Sequence, residues 1–181
     1  MCGRLDAYLT TFSHLNSKKE KNKWKRMSFY RSPEVPLLLL SVIDQIHCKN
    51  ILRNFLTPDK NLQSAYTSYM HLLGVKAKSV NIALPFCELS KTTFWRLLSK
   101  SSNEAASKTI NPAETIEGLL ARYHGARLAE DLYTILQMEH LRRKLGDILI
   151  TTYFDEETAR NIAKQSEIIR KNHSKNIAAT D

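Results

Sequence analysis

An apolar run directly behind a dense basic segment constrains the fold of this chain most strongly. Residues 37–43 read Leu-Leu-Leu-Leu-Ser-Val-Ile, a run too short to cross a bilayer, so it must be buried inside the protein. Pro36 suits a first helical turn, and we predict a buried helix over 36–47. Residues 18–31 hold seven Lys or Arg and a single acid, Glu20. Positive charge fixed to a buried segment predicts a shaped site for a polyanion.

Length and composition favour a mainly α, single globular domain. A chain of 181 residues is long enough to bury a sizeable core, and only 5 Gly and 5 Pro argue against a turn-rich all-β fold. We expect short strands or irregular loops around 50–56 and 76–98. The domain is predicted to span 1–171, followed by a linker or frayed tail at 172–181. Apolar spacing and cap residues predict helices at 4–15, 36–47, 57–74, 113–122, 127–138, 139–153 and 155–171.

The charge is unevenly distributed along the chain. The net charge is +9, and residues 1–31 alone hold eight Lys or Arg against two acids. A lopsided basic surface attracts phosphates and releases counterions on binding. We therefore favour a nucleic-acid partner over a solvated face that serves solubility alone.

The cysteines indicate a reducing compartment. Cys2, Cys48 and Cys87 are odd in number and far apart, without a CxxC pair, which argues against a disulfide framework or a zinc site. We find no signal peptide and no membrane span, so we expect a cytoplasmic protein without a membrane partner.

The sequence does not support catalysis. It has no GxGxxG, GxxxxGK[ST], GxSxG or HExxH motif. The Glu139-His140 pair is interpreted as part of a surface charge network on a helix. We predict no catalytic residue, no metal site and no cofactor.

The segment Leu84-Pro85-Phe86 has two interpretations. A proline-stiffened apolar turn near Lys76 and Lys78 would place a dry patch beside a phosphate cradle. Alternatively, the same residues form a hydrophobic plug that closes the core, because apolar side chains are mostly buried for packing.

Several motifs, taken in order, resemble one family. They are Pro-x-x-Pro-Leu-Leu-Leu-Leu at 33–40, Leu-Pro-Phe-x-x-Leu at 84–89, Phe-Trp-x-Leu at 94–97, and a late block from His124 to Phe154. Their order and spacing resemble the sulfur-binding domain of phosphorothioate-dependent type IV restriction endonucleases, over about residues 5 to 165.

The resemblance implies binding of double-stranded DNA whose backbone carries a phosphorothioate. An HNH nuclease domain that cuts the DNA is expected elsewhere, outside this chain. The implied sulfur pocket consists of Leu84, Pro85, Phe86, Glu88 and Arg31. The implied DNA contacts are Lys25, Arg26, Arg31, Glu34, Lys76, Lys78, Ser79, Lys108, Arg122 and His124.

The chemistry of sulfur suits such a pocket. Sulfur is larger and less strongly hydrated than phosphate oxygen, whereas an oxygen placed in an apolar site would lose water without replacement. Burying the sulfur contributes about 1 kcal/mol, so basic residues must supply most of the affinity. A carboxylate such as Glu88 would repel the backbone unless it points to a cytosine amino group or to a basic neighbour.

Two alternatives remain from the sequence. One is a helix-turn-helix-like domain that reads DNA sequence without sulfur. The other is a protein-interaction domain whose basic patch contacts an acidic partner.

Overall fold

The fold is mainly helical. The computed structural model describes residues 2–15, 26–29, 31–100 and 114–178. The helices in these ranges are α1 (Cys2–Ser13), α2 (Glu34–His47), α3 (Lys60–Leu72), α4 (Ala83–Glu88), α5 (Ile116–Arg122), α6 (Glu130–Gln137), α7 (Glu139–Tyr153) and α8 (Glu156–Ala178). The strands are β1 (Trp95–Ser99) and β2 (Tyr123–Leu128). All eight helices lie around one hydrophobic core, so the expected single mainly α domain is confirmed.

Helix α2 lies at the centre of this core. Every residue from Val35 to Ile46 is buried, and the four leucines at 37–40 are at most 2% exposed. Helices α3, α4, α6, α7 and α8 all pack against it. Full burial of one leucine contributes about 1.5–3 kcal/mol, so the apolar run organises the fold around itself.

The two strands form a small antiparallel sheet. Arg96 lies opposite Arg127, and Leu97 lies opposite Ala126. On the other side of β2, Leu56 and Ala126 exchange two N–H···O bonds of 2.8 Å. Gly125 has a φ of 153°, and a Cβ at this position would lie 2.2 Å from the Leu56 carbonyl oxygen. Only glycine allows this close approach of the two backbones.

Most predicted helices are found within a few residues of their expected bounds, with three differences. The predicted helix 127–138 begins at Glu130, because residues 123–128 pair as β2. Residues 83–88, predicted as irregular, form helix α4. Helix α8 continues past Asn172 to Ala178, where a linker or tail was expected.

Candidate functional site

Helix α4 carries four of the predicted sulfur-pocket residues; it buries two of them and leaves the other two half-exposed. Phe86 is 0% exposed and meets Trp95 edge to face, with ring centroids 4.9 Å apart. Pro85 is also buried, whereas Leu84 and Glu88 are half-buried. Residues four apart lie on one face of a helix, so Leu84 and Glu88 are neighbours at the surface.

Phe86 and Pro85 therefore require a correction. The expected contact of Phe86 with a ligand is wrong, because its ring has no exposed surface and packs in the core. Pro85 is inside the fold as well. For these two residues the plug interpretation holds, and of the predicted pocket residues on α4, Leu84 and Glu88 present surface to a ligand.

The charges of Glu34 and Glu88 both act on one buried tyrosine, Tyr66. Tyr66 of α3 is 1% exposed, and its hydroxyl has no hydrogen-bond partner among the described residues. Burial raises the pKa of Tyr66 well above its usual value, and the charges of Glu34 and Glu88 raise it further. Glu34 accepts a hydrogen bond of 3.0 Å from the Ser32 hydroxyl. The first turn of α2 and the last turn of α4 thus place two carboxylates near one hydroxyl.

Arg31 lies at the same end of α2. A turn holds its backbone, since its N–H donates to the Ser28 carbonyl at 2.9 Å and its own carbonyl accepts from the Ser28 hydroxyl at 2.8 Å. The side chain is half-buried, and its charge lowers the pKa of Tyr153 against the larger, raising effect of burial. Arg31 is therefore close to the C-terminal end of α7. In the sequence it lies three positions before Glu34, where α2 begins.

Other expected DNA contacts lie in separate places. Lys76, Lys78 and Ser79 are exposed, at or within the 3-10 helix Ala77–Ser79 that precedes α4. Lys25 and Lys108 lie outside the described residues, and of Arg26 only the backbone is described, at the start of the 3-10 helix Arg26–Ser28.

Arg122 and His124 lie where α5 joins β2. Arg122 is half-buried at the end of α5, and its carbonyl accepts from the Lys100 N–H at 2.9 Å. His124 is exposed within β2. They border a strand pair that carries two exposed arginines, Arg96 and Arg127.

The sequence analysis missed Arg96 and Arg127. Each arginine stands between residues whose side chains point into the protein, Trp95 and Leu97 in β1 and Ala126 and Leu128 in β2. This alternation of apolar and charged residues is the pattern of a half-buried strand, and it was the available signal.

A buried polar network was also missed. Asp44 of α2 is 0% exposed and accepts hydrogen bonds from Tyr69, from Ser166 at 2.7 Å and from Arg170 at 2.9 Å. Burial raises the pKa of Asp44, while Arg170, Tyr69 and Ser166 each act to lower it. Its donors come from α3 and α8, so the network joins three helices.

Within the described ranges, no group of three or more His, Cys, Asp or Glu side chains is arranged to hold a metal ion. The same ranges contain no helix with the length and apolarity that a membrane span requires. A scan against protein-family models and a search of curated proteins both found no match to this chain.

Proposed function

We propose that this chain is a DNA-recognition domain that binds duplexes carrying a phosphorothioate in the backbone. The observation that carries the proposal is the surface of Leu84 and Glu88 on α4, a helix that packs against α2, which begins at Glu34 three residues after Arg31. These two elements supply apolar, acidic and cationic groups, and each group has a partner in such a ligand.

Leu84 is the apolar group proposed to contact the sulfur. It is half-buried, so it offers carbon surface without closing the site. A poorly hydrated sulfur atom loses little on meeting this surface, whereas a phosphate oxygen loses hydrogen bonds to water. Leu84 therefore favours the modified linkage over the native one.

Glu34 and Glu88 are proposed to face base edges rather than the backbone. Two carboxylates would repel any phosphate placed directly beside them. A carboxylate accepts a hydrogen bond from the amino group of cytosine in the major groove. The acidic pair thus adds a preference for bases next to the modified linkage.

Basic residues are proposed to supply most of the affinity, as they do for DNA-binding proteins in general. Arg31 and the exposed Lys76 and Lys78 are the described candidates near α2 and α4. Cutting would require a nuclease domain that acts together with this chain. The free thiols of Cys48 and Cys87 suit the cytoplasm, which we propose as its location.

The test uses one duplex in three forms: unmodified, and with a single phosphorothioate as each stereoisomer. Fluorescence anisotropy gives the ratio of the unmodified to the modified Kd, which we expect to exceed one for one stereoisomer. Leu84→Ala should lower this ratio about fivefold, because about 1 kcal/mol of sulfur burial is lost.

The matched control is Leu52→Ala, since Leu52 is 76% exposed and lies outside α4. It should leave the ratio unchanged. Equal affinity of the wild-type chain for all three duplexes would overturn sulfur recognition in favour of sulfur-independent DNA binding. No binding to any duplex at low salt would overturn DNA binding altogether and leave an acidic protein as the partner.

A further inference from the structure

The exposed face of the β1–β2 sheet carries two arginines directly opposite each other. Arg96 and Arg127 are cross-strand partners, and both side chains are exposed. The Cβ atoms of such partners are about 4.5–5.5 Å apart, so the two side chains leave the sheet side by side. Within the described part of the chain, neither arginine forms an ion pair.

This arrangement costs stability. Like charges at directly opposed positions of a sheet repel each other, and a neutral residue at either position would remove the repulsion. The nearest following acid, Glu130, accepts its hydrogen bond from Asn54 at 3.0 Å rather than from Arg127. Among the described residues the pair therefore has no acidic partner, which favours an anionic partner outside the protein.

Phe55 extends the row formed by Arg96 and Arg127, because it precedes Leu56, which bridges to the other side of β2. Leu56 pairs antiparallel with Ala126, and this register carries Phe55 to the position opposite Arg127. Leu56 is buried whereas Phe55 beside it is exposed, so the two side chains point to opposite sides of this segment. Its ring is 42% exposed, which is unusual for an aromatic side chain that serves only the core.

More positive charge lies nearby in the chain. Arg53 and Lys100 are exposed, two residues before Phe55 and directly after β1. An aromatic ring among exposed cations matches the chemistry of a sugar-phosphate backbone, because arginine binds phosphate oxygens in a bidentate manner and the ring packs on a sugar. An acidic protein surface would satisfy the charges but has no need for the aromatic ring.

We propose that Arg96, Arg127 and Phe55, here named the basic ribbon, bind the backbone of double-stranded DNA independently of sulfur. This inference rests on the proposed function for its ligand, but it concerns a different surface. The residues at α4 would set the preference for the modified linkage, and the basic ribbon would add affinity for any flanking duplex.

The test measures the Kd of an unmodified duplex over a range of salt concentrations. The variant Arg96→Gln/Arg127→Gln should lose affinity at low salt, and its slope of log K against log salt should fall by about two, one for each phosphate contact. The ratio of unmodified to modified Kd should stay at the wild-type value. An unchanged salt slope would overturn the basic ribbon, whatever the ratio is.

The matched control removes two positive charges elsewhere. Arg160 and Lys171 of α8 are exposed and pair with Glu156 and Glu167, so Arg160→Gln/Lys171→Gln gives the same change in net charge. Its salt slope should stay near the wild-type value. A slope that fell equally in both variants would show a general effect of charge and would overturn the assignment to this surface.

A third variant separates binding from folding. Arg127→Glu places an opposite charge beside Arg96, which should raise Tm while DNA binding falls further than in the glutamine variant. Binding at the wild-type level in this variant would contradict the proposal. If instead the wild-type protein bound all duplexes equally, sulfur recognition would fail while the salt slope would still decide the fate of the basic ribbon.

Discussion

Tyr66 and Tyr69 occupy neighbouring positions on α3, yet their hydroxyl groups have opposite surroundings. Both are at most 1% exposed and lie between α3 and the central α2. The Tyr69 hydroxyl donates to Asp44, within a network completed by Ser166 and Arg170. The Tyr66 hydroxyl has no partner in the described part of the chain and lies near the carboxylates of Glu34 and Glu88.

The difference separates a structural region from a candidate binding region. A buried polar group with complete hydrogen bonding fixes how helices pack, whereas an unpaired one costs about 1–3 kcal/mol without any return in stability. The Asp44 end of α2 therefore holds α3 and α8 in place. The Glu34 end retains an energetic cost, and such costs persist where function requires a particular arrangement.

The largest effect is expected from Asp44→Ala. This change removes the buried carboxylate that accepts from the Tyr69 and Ser166 hydroxyls and takes away one partner of Arg170. Removing one partner of a buried ion pair costs about 3–5 kcal/mol, so the midpoint of urea unfolding should fall sharply. Asp147→Ala on α7 is the control, because Asp147 is exposed. Equal losses in both variants would contradict a clamping role for Asp44.

A smaller effect on stability should distinguish Tyr66 from Tyr69. Tyr69→Phe removes a hydrogen bond to a carboxylate and should cost about 1.5–3 kcal/mol. Tyr66→Phe removes only an unpaired hydroxyl, and the folded state should gain about 1 kcal/mol. Urea unfolding of both variants measures the contrast. Equal destabilisation of the two would mean that the comparison between them is wrong.

The smallest predicted effect is on the pH dependence of stability, and it arises at His47, the last residue of α2. Burial lowers the pKa of His47 from 6.5, and Arg170, Arg142 and Arg143 lower it further against the opposite effect of Glu139. At His47, the folded protein therefore binds fewer protons than the unfolded chain does. This contribution to stability is present above the unfolded pKa of about 6.5 and is lost as the pH falls through the lower folded pKa.

We therefore expect His47→Gln to flatten the dependence of unfolding free energy on pH. Urea unfolding between about pH 8 and pH 5 covers the range in which a histidine with a lowered pKa titrates. His71→Gln is the control, since His71 lies exposed on α3. A wild-type pH profile in His47→Gln, or a flattened one in His71→Gln, would place the proton uptake elsewhere.

Periodicity predicted the long helices well and the short elements poorly. The apolar spacing of α2, α3 and α7 extends over 13 to 15 residues, which is long enough to identify a helix. Strand β2 has six residues, and its backbone bonds come from β1 and from Leu56, far away in the sequence. No local pattern contains those partners, so the helix predicted over 127–138 wrongly includes the last two residues of β2.

The candidate site was predicted only in outline. Leu84, Pro85 and Phe86 were treated as one unit, but the register of α4 buries Pro85 and Phe86 and leaves Leu84 half-buried with Glu88. Helical phase separates neighbouring residues in this way, and the phase was unknown while the segment was considered irregular.

The sequence by itself determined that residues 36–47 would form a buried helix, because a run of leucines gains stability only inside a core. It also determined the excess of positive charge that makes an anionic partner plausible. Tertiary structure alone decided which polar groups would meet: Asp44 with donors from two other helices, Glu34 with Glu88 at Tyr66, and Arg96 with Arg127. Each of these groups joins residues far apart in the chain, and only packing around α2 and strand pairing bring them close enough to interact.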